Sequence, residues 1–253
     1  MARLFDIARW GSVLVVMATR PAWAAEDRAP GAILDLSGWR LTLPIDTPLP
    51  GTPDEIAAAD LRTFSDARFF HIEPSGRGVV FRAPCGGATT KGSKYPRCEL
   101  REMTADGRHR ASWSTDDAGE HELAMTAAIT RLPAVKPEVV CAQIHDATDD
   151  LLMVRLERRR LFVESSSLGD VTLDDEYELG RTFTVRIVAG RGRVGVWYDG
   201  TQALDRQVSR DGCYFKCGCY TQSNVGKGDA ADAFGEVVIR SVAWSWLPDA
   251  ERE

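Results

Sequence analysis

Apolar and polar residues alternate with a period of two along most of the chain, the pattern of half-buried strands rather than helices. Short β-rich runs occupy Phe69–Glu73, Gly78–Ala83, Glu120–Leu132, Leu151–Glu157, Leu161–Ser165, Thr182–Val188, Val194–Tyr198, Cys213–Gln222 and Glu236–Trp246. Turn chemistry separates them, as at Pro74-Ser75-Gly76, Asp106-Gly107, Asp199-Gly200 and Asp211-Gly212. The one clear helix candidate is Pro53 to Leu61, with proline at its start and good helix formers behind it. Many short strands with almost no helical pattern predict an all-β, two-sheet sandwich of the jelly-roll kind. No internal repeat or inter-domain linker interrupts it, so one domain is expected over residues 25–253.

The first 24 residues read differently. Arg3 and Arg9 precede a short apolar stretch, Trp10 to Ala18, and Ala22-Trp23-Ala24 places small residues two apart. This is the layout of a signal peptide cleaved after Ala24, and it predicts a secreted or periplasmic protein. No apolar run reaches the roughly 20 residues that span a bilayer, so no membrane association is expected after cleavage. The balance of 31 basic and 37 acidic residues, a net charge of −6, disfavours nucleic acid, whose binding rests on neutralising phosphates. Six cysteines (Cys85, Cys98, Cys141, Cys213, Cys217 and Cys219) in an exported chain allow up to three disulfides, with no pairing chosen by spacing. Cys213-x3-Cys217-x-Cys219 also resembles a metal-ligand run, but no CxxC pair or HExxH accompanies it, and no metal or cofactor is expected.

Two familiar patterns can be set aside. Gly190-Arg191-Gly192-Arg193-Val194-Gly195 satisfies GxGxxG, yet Val194 to Tyr198 behind it alternates as a strand where a dinucleotide site needs a helix. Paired carboxylates at strand spacing, Glu120/Glu122 and Glu176/Glu178, lack the aromatic or cationic company of a glycosidase cleft.

Three segments carry a coherent chemistry. In Arg97-Cys98-Glu99-Leu100-Arg101, a strand projects Arg97, Glu99 and Arg101 from one face and turns Cys98 and Leu100 inward. That row is either a solvated ion-pair surface or a cationic stripe held by its central carboxylate. In Gln143-Ile144-His145, an amide and an imidazole stand side by side, a pairing suited to gripping a carboxylate and moving a proton. In Tyr214 to Gln222, even positions present Tyr214, Lys216, Gly218, Tyr220 and Gln222, while Phe215, Cys217, Cys219 and Thr221 face the other way. A core would leave that ammonium unpaired at a cost of several kcal/mol, so the even face lines a wet cleft or a surface.

These segments, in this order, resemble the alginate lyases of polysaccharide lyase family 7. Trp39-Arg40-Leu41-Thr42-Leu43-Pro44 and Thr89-Thr90-Lys91-Gly92-Ser93 extend the likeness over nearly the whole chain after residue 24. Cys98 and Cys217 depart from the small residues usual there, and by parity both point away from the cleft. The resemblance implies a jelly roll with a groove across its concave sheet, acting on an anionic polysaccharide, alginate, by β-elimination; a monomer is expected. It makes Tyr220, His145, Gln143 and Arg97 catalytic. Arg97, Gln143 and His145 would stabilise the charge that develops on the uronate carboxylate when the C5 proton leaves. Tyr220 would protonate the leaving C4 oxygen, and His145 or Tyr220 would take the C5 proton. Arg101, Glu99, Lys216, Gln222 and Tyr214 are the implied substrate-binding residues, and Ile144 leans, by family habit, towards guluronate blocks. A glucuronan lyase, a glycoside hydrolase and a non-catalytic sugar-binding sandwich are the alternatives.

Overall fold

The computed structural model describes residues 28–249 and forms two packed antiparallel sheets. One sheet has eight strands in the order β10 (Val171–Asp174), β9 (Arg160–Glu164), β8 (Asp150–Glu157), β7 (Glu138–His145), β14 (Tyr214–Thr221), β5 (Arg97–Glu102), β1 (Trp39–Thr42) and β2 (Glu55–Ile56). The other has seven, in the order β13 (Thr201–Gln207), β12 (Arg193–Tyr198), β11 (Phe183–Gly190), β6 (Glu120–Arg131), β15 (Phe234–Leu247), β4 (Val79–Pro84) and β3 (Phe70–Ile72). Sequence-distant strands lie side by side in both sheets, as a jelly roll requires. The inward rows meet in one core: Leu100, Ile144 and Phe215 from the first sheet, Phe81, Leu123, Ile187 and Val237 from the second, all 0% exposed. The expected fold class therefore holds, and the nine anticipated β runs appear as strands within about two residues of their expected ends. The GxGxxG stretch is the β11–β12 hairpin, with Arg191 and Gly192 at φ of 55° and 72°. Positive φ at both central residues is type I′ geometry, which matches the twist of the flanking strands.

Two expectations need correction. The helix expected over Pro53 to Leu61 shrinks to α1 (Ala58–Leu61). Glu55 and Ile56 instead pair with Thr42 and Leu41 at the sheet edge, where Arg40 Nη1 meets Glu55 Oε2 at 3.0 Å. A ladder available from a distant strand outweighs a helix propensity of a few tenths of a kcal/mol per residue. The cysteines form no disulfides: all six are free and buried. They serve as small inward-facing core residues, several donating to backbone carbonyls, as Cys98 Sγ does to Phe69 O at 3.3 Å. Burial pushes the Cys85 thiol up to about 11 and those of Cys213 and Cys219 to about 12, so none offers a thiolate near neutrality. The signal-peptide segment lies outside the described residues.

Candidate active site

The outer face of the eight-stranded sheet carries a groove of about 870 Å³. Its floor comes from three adjacent strands. The β5–β14 ladder sets Arg101 beside Lys216, Glu99 beside Gly218 and Arg97 beside Tyr220, and the β14–β7 ladder sets Lys216 beside Gln143 and Tyr214 beside His145. β14 holds one extra residue against β7 between Cys217 and Tyr220, a bulge centred near Gly218. Gly218 has φ +139°, and a Cβ there would stand 2.6 Å from Cys98 O and 2.9 Å from Glu99 Cα. Only glycine lets β5 approach this closely.

Glu99 organises the floor. It is 1% exposed, yet its carboxylate receives Arg97 Nη1 at 3.0 Å, Lys216 Nζ and Gln143 Nε2. Burial alone would raise its pKa; the Lys216 and Arg97 cations reverse that and hold it below the usual carboxylate value. Lys216, largely buried in the groove floor, is pushed down to about 8 by burial and by the Arg97 charge, with Glu99 opposing. Each arginine of the stripe also lies over a phenol: Arg97 Cζ is 3.8 Å from the Tyr220 ring centroid and Arg101 Cζ is 3.6 Å from that of Tyr214. Arg97 Nε and Arg101 Nε are buried donors without a protein acceptor.

His145 is held from one side. Its Nδ1 lies 2.5 Å from Asp146 O and 3.2 Å from Tyr214 Oη, with the two rings stacked 5.6 Å apart. A carbonyl can only accept, so Nδ1 carries the hydrogen and Nε2 keeps its lone pair. Burial and the nearby Lys216 and Arg97 cations lower the imidazole pKa, against the Asp146 carbonyl, so the ring is neutral near pH 7. Tyr220 is half-buried; its hydroxyl lies 3.1 Å from Ser93 Oγ and its ring 6.5 Å from that of Tyr95.

Seven of the nine expected site residues line the groove: Arg97, Arg101, Gln143, His145, Tyr214, Lys216 and Tyr220. Glu99 lies beneath that lining as the anchor of its cations. Gln222 is buried beyond it, its backbone carbonyl accepting from Lys136 Nζ at 2.7 Å and its side-chain Nε2 without a partner. The sequence does not assign the groove walls: Ser93 and Lys91 in the loop before β5, Glu55 and Arg110 beside the stripe, and Asp149 and Asp150 after β7. Loops carry no periodicity to flag them, although Thr89 to Ser93 stands next to a motif strand. A further residue that the motifs do not flag lies on β5 itself. Glu102 is 2% exposed, accepts Trp113 Nε1 at 2.9 Å and Phe215 N at 2.8 Å through one oxygen, and is raised by burial to about 7. Among the described residues, no group of three or more His, Cys, Asp and Glu side chains is placed to hold a metal ion.

A jelly roll whose groove combines a guanidinium stripe, a neutral imidazole and a phenol defines an acid–base site for an anionic ligand. Residues 34–245 match the family model described as alginate lyase, and the chain belongs to that family. A curated alginate lyase from Klebsiella pneumoniae is 42% identical over 81 residues, a stretch that is 31% of this chain and 26% of the Klebsiella protein. The alginate lyase AlgAT5 from polysaccharide lyase family 7 shares 49% identity and superposes with a TM-score of 0.82, covering 86% of this chain and 98% of its own. An alginate lyase from Corynebacterium sp. shares 37% identity at a TM-score of 0.82 with the same two coverages. A family 7 alginate lyase in complex with the product GGG shares 25% identity at a TM-score of 0.74, covering 87% and 99%.

Proposed function

We infer that this protein is an alginate lyase that cleaves its substrate by β-elimination. The observation that carries this reading is the pairing of a neutral His145, with Nε2 free, and the Tyr220 phenol on a floor of buried cations. The uronate carboxylate is received by Arg97, Arg101 and the Gln143 amide, two guanidinium charges and a neutral hydrogen-bond donor that oppose the negative charge developing as the C5–H bond breaks. His145 Nε2 takes the C5 proton. The electron pair forms the C4–C5 double bond, the C4–oxygen bond breaks, and the departing oxygen takes the Tyr220 proton. The imidazolium and phenolate left behind exchange a proton through water, which resets the site. For mannuronate, whose C5 proton lies on the opposite ring face, Tyr220 serves as both base and acid, as family resemblance implies. The groove sets five cationic side chains against three carboxylates on its lining, so a net acidic chain still presents a cationic cleft to a polyanion.

Export follows from Arg3, Arg9, Trp10–Ala18 and Ala22-Trp23-Ala24, which support cleavage after Ala24 and action outside the cytoplasm. The deciding experiment follows ultraviolet absorbance as the purified protein acts on guluronate-rich and mannuronate-rich alginate. Rising absorbance from the conjugated C4–C5 double bond is the expected result, faster on the guluronate fraction. New reducing ends without absorbance would mean hydrolysis and overturn the reading.

A further inference from the structure

Ser93 makes three contacts at hydrogen-bonding distance with a single hydroxyl proton. Tyr95 N donates to its Oγ at 3.2 Å, Oγ reaches Tyr95 O at 3.1 Å, and the Tyr220 hydroxyl lies 3.1 Å away. The loop that carries it is well held. Ser93 N donates to Thr90 O at 2.9 Å, Gly92 takes the left-handed φ of 86° that the turn needs, and Asn224 Nδ2 donates to Lys94 O at 2.8 Å. Ser93 is therefore fixed in place while its hydroxyl hydrogen is free to rotate.

The donor count then ties Ser93 to the state of Tyr220. Before substrate binds, the Ser93 hydrogen points to Tyr95 O and Ser93 Oγ accepts from the phenol, whose single hydrogen turns to the C4 oxygen when the sugar chain occupies the groove. Once the phenol proton has gone to the leaving oxygen, the phenolate can only accept. The Ser93 hydrogen must then swing from Tyr95 O to the phenolate. No bond to carbon changes in this motion, and no proton leaves Ser93. We propose that Ser93 is a positioning residue for the elimination: a hydroxyl switch that accepts from the Tyr220 phenol before substrate binds and donates to the phenolate as proton transfer leaves it charged. It adds a directional donor to the Arg97 guanidinium over the ring face, which contributes charge without reaching the oxygen along the phenol's own hydrogen-bonding direction.

This inference rests on the lyase reading, and the test separates the two. Full-length wild type, Ser93→Ala and Ser93→Thr are assayed for unsaturated uronate release across pH on alginate, with kcat and KM taken separately. A stabilising hydrogen bond that matters only as charge develops on Tyr220 lowers kcat in Ser93→Ala by about tenfold to a hundredfold. KM stays within about twofold, the fall changes with pH, and Ser93→Thr, which restores a hydroxyl, recovers most of the rate. A Ser93→Ala rate equal to wild type overturns the switch and leaves the lyase intact. A parallel change in KM, or no recovery in Ser93→Thr, overturns it in favour of loop packing. A wild type that releases no unsaturated uronate overturns the lyase reading and the switch with it.

Discussion

The two sheets of this sandwich present outer faces built from the same residue types to opposite ends. On the seven-stranded sheet, ion pairs such as Arg186–Glu122 and Arg193–Asp205 sit at the surface, with side-chain exposures of 41%/21% and 48%/46%. On the eight-stranded sheet, Arg97, Glu99 and Lys216 form an equally polar set, but the Arg97–Glu99 and Lys216–Glu99 pairs are only 8%/1% and 10%/1% exposed. Loop residues Lys91, Gly92, Ser93, Thr148 and Asp149 wall the groove on the eight-stranded face. A surface pair is screened by water and contributes at most about 1 kcal/mol. A buried one is held in a fixed geometry, and a missing partner is felt in full. The groove is therefore the place where charge can be aimed at a substrate, and also the place where the fold is most easily damaged.

The sharpest way to break the comparison is at the chemistry. Tyr220→Phe removes the proton donor while keeping the ring beneath Arg97, so turnover should fall by more than about a thousandfold with the melting temperature nearly unchanged. A near-native rate of absorbance increase would refute the mechanism. Next comes the anchor. Glu99→Gln leaves two buried cations without their carboxylate and should cost about 3–5 kcal/mol in urea unfolding, with activity lost as Arg97 and Lys216 shift.

Glu102 offers a pH-resolved test on the inward side of the same strand. Its folded pKa, about 7, is raised above the ordinary carboxyl value, so the folded state holds this proton more tightly than the unfolded chain does. The stability it contributes is fully present below the unfolded pKa and is lost as pH rises through about 7. Glu102→Gln keeps an oxygen for Trp113 and Phe215 and carries no charge, so it should unfold at higher denaturant than wild type at pH 8, by up to about 3 kcal/mol, and match it near pH 4. Parallel stability curves for the two proteins would sink this account. At the small end, Glu122→Gln on the open sheet should change unfolding free energy by less than about 1 kcal/mol. A cost as large as that of Glu99→Gln would erase the distinction between the faces.

Much of the site is legible in the amino-acid sequence. Period-two alternation places Arg97, Glu99 and Arg101 outward and Cys98 and Leu100 inward, and the register of β5, β14 and β7 brings the three motif strands side by side. The depth of each residue is not legible. Glu99, expected to touch substrate, instead lies under the floor; Gln222 shares the outward parity of Tyr220 yet is covered beyond the groove. The cysteines mislead for a related reason. Count and compartment argue for disulfides, whereas four of the thiols occupy inward positions of central strands as 0%-exposed core residues.

What the sequence determined by itself is the set of local facts: strand periodicity, turns at glycine and aspartate, and the order of the three motif strands. Those follow from backbone sterics, which depend only on neighbours in the chain. Which polar rows are buried, the pairing of Glu55 and Ile56 as an edge strand, and the meeting of Ser93 with Tyr220 from 127 residues away come from the tertiary fold. Burial, desolvation and hydrogen-bond partners are set by segments distant in sequence, so no local pattern encodes them.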